Sequence, residues 1–429
     1  MIKSHTPFRL QLLLGAILFS CLFNYAYIAI VSPTWGYMGL TFTPPPIQSI
    51  LLASLLALLP IAWLPIHLTR PSQALYWFLY LLVYVPSMFI PHYMQRQGPF
   101  DLYLINFSFF ISFYILGLVY KVPLRAISRP NLSWDAWWFF VAAAAGIFYI
   151  AVMVVYGGRL QLSGLYNIDL RLESRGLDTN IFTNYGHVWL ANVINPMLMA
   201  WGLLRKKPLL FLIGILGQIV LFMTAAQKMV LLSVVLIVLL FFIIKSKRYN
   251  FGLRFILGMS SLLIFVISLE LYESFFSFTV QTLIGMRLFS VAGFMTSVYS
   301  DFFSQNPWTF WSHLKGISTI IEYPYDLSVP FLIGDFLGNF ENSANAHAWA
   351  TDGIAAMGLV GVLIVSLLMM FIFYLLDCAA TGLDPRLSGL SIVTHGAAIG
   401  NLSVMSVFLG GGLFFNIILL WLMPRGKRK

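Results

Sequence analysis

The stretch Trp349–Leu376 decides the fold and reads WATDGIAAMGLVGVLIVSLLMMFIFYLL. Asp352 is its only charged residue. A helix of about 20 mostly apolar residues is long enough to cross the hydrocarbon core of a bilayer. The stretch therefore predicts a transmembrane helix, and it indicates that the bilayer is the solvent for at least this part of the chain.

Comparable apolar runs occur along the whole chain. In order they are Leu10–Val31, Ile47–Leu68, Ala74–Ile90, Leu102–Tyr120, Ala136–Tyr156, His187–Leu204, Pro208–Ala226, Met229–Ile244, Phe255–Leu269, Trp349–Leu376 and Leu387–Met423. The last run is too long for one crossing and short for two, so we divide it near Gly410-Gly411-Gly412, where glycine weakens helix continuity. The pattern predicts an all-α, polytopic membrane protein of about 12 transmembrane helices, with residues 1–429 forming a single integral membrane domain.

The composition agrees with a membrane protein and excludes other classes. Hydrophobic residues make up 60% and charged residues 9% of the chain, with a mean hydropathy of +0.86, whereas soluble domains carry about 25% charged residues. The net charge of +10 does not indicate a nucleic-acid partner, because the basic residues lie between apolar runs and not on one soluble face. The two cysteines, Cys21 and Cys378, give neither a disulfide framework nor metal-ligand spacing.

The basic residues predict the topology, because Lys and Arg collect on the cytoplasmic side of a membrane. With the N-terminus in the cytoplasm and the helices alternating, most of the 25 basic residues fall on that side, and both termini are expected there. Two outer segments, residues 157–186 and 270–348, are long, and we expect them to be enlarged loops. Ordered loops of that size usually carry function. Within the second, the apolar spacing of Trp308–Ile321 predicts a helix lying flat in the interface.

Several cations fall on the outer side, where the topology rule makes them unexpected. They are Arg96, Arg159, Arg171, Arg175, Lys228, Arg287 and Lys315, of which we take Arg159, Arg171, Arg175, Lys228 and Arg287 as site candidates. The planar arginine fork suits two-point contacts with phosphate, and lysine acts as a point charge. As a set these residues predict a diphosphate site at the outer membrane surface. The alternative is that each cation pairs with a nearby acid such as Asp169, Glu173 or Asp178.

A second polar cluster lies where the chain enters the Trp349–Leu376 helix. It contains Glu341, Asn345, His347 and Asp352. An ionisable residue inside a membrane helix is a functional candidate by default, and Asp352 is the clearest case. The alternative is helix capping and interhelical hydrogen bonding by Asn342, Asn345 and Asp352. Motifs for nucleotide phosphates, zinc hydrolysis and a nucleophilic serine are absent from the sequence. We therefore expect the chain either to transport or to use a donor already activated on the lipid side, and we name no cofactor.

Short motifs are spread over this layout. They are Thr224-Ala-Ala-Gln-Lys228 between two predicted helices, Arg287-Leu-Phe, Tyr299-Ser-Asp-Phe-Phe, Gly334-Asp335, Asn345-Ala-His-Ala ahead of Gly358-x-x-Gly361, and Arg175 and Gly186 with ten residues between them. Together with the predicted helices and the two enlarged loops, they make the chain resemble the Wzy-type O-antigen and capsule repeat-unit polymerases of bacterial inner membranes. Relatives often have a Ser-Arg pair where this chain has Gln227-Lys228.

The resemblance implies a GT-C-like fold with enlarged periplasmic loops and a metal-independent glycosyl transfer. The growing glycan would leave undecaprenyl diphosphate for a hydroxyl on the next lipid-linked repeat unit. The implied roles fall into two groups. For diphosphate and glycan binding they are Arg287 and Lys228, then Arg171, Arg175 and Arg159, with Asn345 and Tyr299, and for the general base His347, then Asp352 and Glu341. The implied partners are the lipid-linked oligosaccharide, membrane lipids, a chain-length regulator and a flippase, without nucleic acid.

Two other functions compete with polymerisation. An O-antigen ligase shares the layout and the donor but transfers the glycan to a lipid A core sugar. A polysaccharide flippase or other transporter predicts charged side chains lining the middle of the helix bundle. In the sequence most charges fall near the predicted helix ends, which favours the enzyme.

Overall fold

The computed structural model describes residues 6–162, 179–245, 250–314, 316–338 and 343–426. Every regular element within these residues is a helix, so the predicted all-α class is confirmed. Among the described helices, eight are long and apolar enough to cross a membrane. The chain is therefore a multi-pass helical membrane protein.

We number the helical segments in chain order. They are α1 (Phe8–Met38), α2 (Ile47–Ala62), α3 (Ser72–Met94), α4 (Pro99–Lys121), α5 (Trp134–Tyr156), α6 (residues 181–205), α7 (Pro208–Ala225), α8 (Lys228–Ile244), α9 (Phe251–Leu271), α10 (Phe275–Gln305), α11 (Val329–Phe336), α12 (Trp349–Ala379), α13 (Pro385–Ser391), α14 (Val393–Ala398) and α15 (Leu413–Leu422). The eight long apolar helices are α1, α3, α4, α5, α7, α9, α10 and α12, while α2, α8 and α15 are shorter apolar helices.

Contacts between α1 and α3 define the two ends of the bundle. Phe23 packs on Phe89 with ring centroids 6.5 Å apart, and Tyr27 stacks on Tyr93 at 5.5 Å, so the two helices run in the same direction. We call the end where they begin the basic end. Basic side chains bind backbone carbonyls there, and they include Arg9, Arg70, Arg254 and Arg425. The end where α1 and α3 finish is the opposite end.

Helix α10 does not pass from one end of the bundle to the other. It starts with Phe278 packed on Trp35, ring centroids 5.8 Å apart, at the opposite end, and Phe289 then reaches Phe19 at 5.8 Å, deeper in the bundle. The helix finishes with Asp301 paired to Arg96 at 3.3 Å, again at the opposite end. It therefore enters and leaves on one face as a re-entrant segment.

This segment corrects the prediction that residues 270–348 form only an enlarged loop. The structure places the 31-residue apolar helix α10 inside that range. Its mean hydropathy of 1.3 is the lowest among the eight long apolar helices, because serines, threonines, glycines and Arg287 interrupt its apolar residues. The start of the range lies at the opposite end of the bundle, where Phe278 packs on Trp35, whereas its last residues lie deeper, where His347 contacts Thr296 and Phe109.

Helix α12 contains a reversal that the sequence pattern did not predict. Met357 and Gly358 have non-helical backbone angles, with φ of +59° at Gly358, a conformation open mainly to glycine. Before the break Trp349 donates from Nε1 to Ser366 Oγ at 2.8 Å across the reversal, and Gly361 lies against the backbone of Gly353. Residues 349–356 therefore run antiparallel to residues 359–379, and only the second part is free to cross the membrane.

The division predicted near Gly410-Gly411-Gly412 is confirmed. A π-helical turn over Ser406–Gly410 ends there, Gly412 has φ of +88°, and α15 begins at Leu413. The helix predicted over Trp308–Ile321 is wrong. The described residues of that stretch form turns, and the left-handed backbone of Phe310 and Trp311 interrupts any helix.

A buried carboxylate ties α12 to α3 at the basic end. Asp377 is 1% exposed, and its two oxygens accept hydrogen bonds from Ser72 N at 3.0 Å and from Ser72 Oγ at 2.7 Å. Ser72 begins α3, so its amide has no partner within the helix. This pair could not be predicted from the sequence, because 305 positions separate the two residues.

Asp377→Ala should lower the free energy of unfolding by about 2 kcal/mol, because both donors of Ser72 lose a buried acceptor. Thermal unfolding of the detergent-solubilised protein measures the loss. Asp377→Asn keeps one acceptor oxygen and should cost less. Asp101→Ala, at an exposed position in the first turn of α4, is the matched control. An Asp377→Ala protein as stable as wild type would contradict this interpretation.

Candidate functional site

The strongest candidate site lies where two re-entrant segments meet. The first is α10, and the second is formed by residues 343–348 with the first part of α12. Tyr299 donates from its hydroxyl to Ala344 O at 3.0 Å, and Thr296 Oγ1 lies 2.9 Å from His347 Nε2. These contacts hold residues 343–347, which have no helical or strand structure, alongside α10 and direct them into the bundle.

His347 has one ring nitrogen engaged and one open. Its Nε2 lies 3.2 Å from Ala292 O, and because a carbonyl oxygen only accepts, Nε2 must carry the proton. In the neutral ring Nδ1 then holds a lone pair. No described residue hydrogen-bonds to this buried Nδ1. Phe109 and Trp349 enclose the ring at centroid distances of 5.9 and 6.3 Å. The arrangement suits a base that is aimed by α10.

A hydroxyl chain continues from His347 into α3. Thr296 Oγ1 lies 2.8 Å from Ser87 Oγ, and Thr296 also donates to Ala292 O at 3.0 Å. Ser87 and Thr296 are both fully buried, so these bonds fix the position of the imidazole. Neither hydroxyl could be singled out from the sequence, because single serines and threonines in apolar helices carry no signal of their own and 209 positions separate this pair.

Asp352 follows His347 on the same chain segment, and Tyr299 holds the residues before it. The hydrogen bond of Asp352 gives this residue a structural role. Asp352 is 2% exposed, and its Oδ2 accepts a hydrogen bond from Val404 N at 2.5 Å. It therefore caps the helical turn that begins at Val404, as the structural alternative predicted. Tyr299 is fully buried, and its hydroxyl holds the segment ahead of His347 through Ala344 O. Asn345 is half-buried and donates to Ser343 Oγ at 3.3 Å.

Arg287 lies on the π-helical part of α10, between Gln281 and Ser290. Its side chain is exposed while its neighbours Met286 and Leu288 are buried. No hydrogen bond or ion pair joins the guanidinium to any residue that the structure describes. Five residues after it, Ala292 holds the His347 ring. A charge of this kind attracts an anion from outside the chain.

The remaining predicted site residues divide into two groups. Lys228 begins α8 at the opposite end of the bundle, directly after the left-handed turn at Ala226, on a different helix from Arg287. Arg171, Arg175 and Glu341 lie outside the described residues, and so does the side chain of Arg159. The structure therefore places Tyr299, Arg287 and the partners of His347 on one helix, α10. Asn345 and Asp352 lie on the chain segment that carries His347 and bond to Ser343 and Val404.

Arg96 was predicted to lie on the outer side but was not chosen as a site residue. It makes the ion pair with Asp301 that closes the end of α10, and both side chains are partly buried, at 27% and 15% exposed. Arg96 and Arg287 therefore differ in one respect: a described carboxylate neutralises Arg96 and none neutralises Arg287. Among the described residues, no group of three histidines, cysteines or acids could hold a metal ion.

Comparisons with known proteins add no identification. No protein family model matches the chain, and no curated protein matches it. The function must therefore be argued from the geometry of the site.

Proposed function

We propose that this protein is a glycosyltransferase that polymerises oligosaccharide repeat units carried on undecaprenyl diphosphate. In this proposal the opposite end of the bundle is the extracytoplasmic face of a bacterial inner membrane, and both termini are cytoplasmic. The observation that carries the proposal is the composition of α10. This one re-entrant helix presents Arg287, which has no described partner, and holds His347 with Nδ1 open.

The proposed role of His347 is that of general base. The acceptor hydroxyl gives its proton to Nδ1 of His347 while its oxygen bonds to the anomeric carbon of the growing chain. The bond from that carbon to the diphosphate oxygen breaks, and its electron pair leaves with the diphosphate. His347 is 1% exposed, so acceptor binding has to open access to Nδ1, or a water has to relay the proton.

The proposed role of Arg287 is to stabilise the departing diphosphate. Negative charge develops on the diphosphate as the glycosidic bond breaks, and a fixed cation stabilises it most where water is excluded. Arg287 lies below the opposite end, since Gly285 packs near Val31 and Val266. A lipid diphosphate in the adjacent leaflet would reach that depth. Lys228 and the arginines of residues 157–186 complete the proposed diphosphate surface.

Helix directions support a count of twelve crossings. Contacts at the basic end include the start of α1, through Arg9 on Leu64, and the end of α15, through Arg425 on Thr381. A chain that starts and finishes at one end crosses an even number of times. Counting α1 to α9, the second part of α12 and two passes within residues 385–423 gives the proposed twelve, with α10 and residues 343–356 re-entrant.

The direct test is catalysis by the purified protein in detergent, with lipid-linked repeat units as the only substrate. We expect products whose length increases by whole repeat units and release of undecaprenyl diphosphate. If neither longer products nor undecaprenyl diphosphate appear, while thermal unfolding shows that the protein is folded, the proposal is wrong. A deletion strain separates the ligase: loss of a polymerase leaves lipopolysaccharide capped with one repeat unit, whereas loss of a ligase leaves it uncapped.

A transporter is the second candidate, and the broken helices favour it. The reversal at Gly358 and the start of a helical turn at Val404, capped by Asp352, resemble the discontinuous helices of secondary transporters. The same purified preparation discriminates, because a transporter has no reaction to perform without two compartments. Substrate movement across proteoliposomes without any change in chain length would favour transport over polymerisation.

A further inference from the structure

A cavity of about 320 Å³ lies at the basic end, away from the candidate site. Its walls are the segment that leads into α5 and the segment that follows α15. The lining includes Arg129, Ser133 and Trp134 on the first wall and Arg425 and Gly426 on the second. Its volume is within the range of small-molecule sites.

Two indole hydrogen bonds join the walls. Trp134 donates from Nε1 to Gly426 O at 3.1 Å, and Trp421 donates from Nε1 to Ser128 O at 3.0 Å. Tryptophans of this kind gather at the level of lipid headgroups. The cavity therefore lies at the membrane surface, where its contents can come from the lipid itself.

The charge within the cavity is positive. Arg129 is exposed, and neither Arg129 nor Arg425 makes an ion pair with a described carboxylate. Both arginines line the cavity, and burial together with the charge of Arg129 lowers the pKa of Arg425 to about 10. The N-terminus of α5 at Ser133 also lies at the cavity. Ser133 Oγ accepts a hydrogen bond from Ala136 N at 3.1 Å there, and the positive end of the helix dipole favours an anion.

The donors suit a phosphate group. Most guanidinium hydrogens of Arg425 already bond to backbone carbonyls. Nε donates to Thr381 O at 2.9 Å, and Nη1 donates to Leu420 O and Met423 O. Nη2 binds Ala379 O, which leaves one of the five guanidinium hydrogens for a ligand. Arg129 supplies the fork instead, because its exposed guanidinium makes no ion pair with a described residue and is available for a two-point contact.

We propose that this cavity binds the phosphate of an anionic membrane lipid at the basic end of the bundle. Arg129 holds the phosphate by its fork, Arg425 supplies a fixed second charge, and Trp134 packs at the headgroup level. The site is independent of the glycan chemistry proposed above. Basic pockets at helix ends are a recognised form of headgroup site, and this one would anchor α5 to α15 through the lipid.

The test is native mass spectrometry of the purified full chain titrated with phosphatidylglycerol. We expect one tightly retained lipid, with little retention of zwitterionic phosphatidylcholine. Arg129→Gln should weaken phosphatidylglycerol binding about five-fold, the loss expected for one surface cation near an anionic headgroup. Arg125→Gln is the matched control, because Arg125 is exposed in the same segment and does not line the cavity.

Two results would overturn the proposal. Equal loss of binding in Arg125→Gln and Arg129→Gln would mean that general surface charge, and not the cavity, retains the lipid. Release of the lipid by inorganic phosphate alone would mean that the cavity is a soluble-anion site. Because Arg129 is exposed and has no ion pair with a described residue, the Arg129→Gln protein should keep the thermal stability of wild type, which separates lost binding from lost folding.

Discussion

His347→Gln should abolish long chains while the protein stays folded. The glutamine amide nitrogen reaches roughly the position of Nε2, so it can still donate to Ala292 O and contact Thr296. It places no basic nitrogen at the position of Nδ1. Loss of a general base lowers a rate by about 10²–10⁴-fold. The initial rate of chain extension by the purified protein measures the loss, and His347→Ala should lose at least as much.

The glutamine variant separates catalysis from packing. A histidine needed only for structure would tolerate the substitution, because its hydrogen bonds on α10 remain. His313→Gln is the matched control, since His313 lies on the same outer segment, is half-buried and also has an Nδ1 without a described partner. It should retain wild-type activity. A His347→Gln protein that extends chains at the wild-type rate would remove His347 from the mechanism.

Arg287→Gln should lower chain extension by about 10²–10³-fold, the usual cost of removing one group that stabilises transition-state charge. Because the charge on the diphosphate develops as the bond breaks, kcat and kcat/KM should fall together. Arg287→Lys should recover part of the rate, since it keeps the charge and loses the fork. Arg287 is exposed and makes no described ion pair, so its replacement should leave unfolding unchanged.

Arg96→Gln is the control for Arg287. It removes the same charge near the same end of the bundle, but from an arginine already paired with Asp301 at 3.3 Å. We expect a small effect on the rate, because a partly exposed ion pair contributes about 1 kcal/mol or less to stability. If the two variants lose activity equally, the cations act only through the general field of the surface, and the proposed diphosphate contact at Arg287 is wrong.

The multi-pass helical fold could be predicted from the sequence, because apolar length and the distribution of charge are local properties. The break near Gly412 was also predictable, since three consecutive glycines stand inside an apolar run. The reversal at Gly358 was not. Ala355-Ala-Met-Gly has the composition of a continuous helix, and only the packing of Gly361 on Gly353 requires the chain to turn back there.

The site divides in the same way. Arg287 could be singled out because a cation in an apolar outer stretch is unusual, and His347 because it lies in a polar cluster at a helix entrance. The partners of His347 could not be predicted, since Ser87 and Thr296 lie far from it in the chain and meet only in the folded bundle. An acidic residue within a membrane helix does not by itself indicate catalysis, because the buried carboxylate of Asp352 also caps the turn at Val404.

The non-helical backbone of residues 343–347 constrains the order in which this protein is made. Peptide groups without helical hydrogen bonds are not tolerated in contact with lipid tails and need protein around them. Here Tyr299 and Thr296 of α10 supply that cover. The segment cannot be threaded into the membrane by itself during synthesis. It reaches its position only after the surrounding helices have been inserted and assembled, so maturation of the histidine site is a late step in biogenesis.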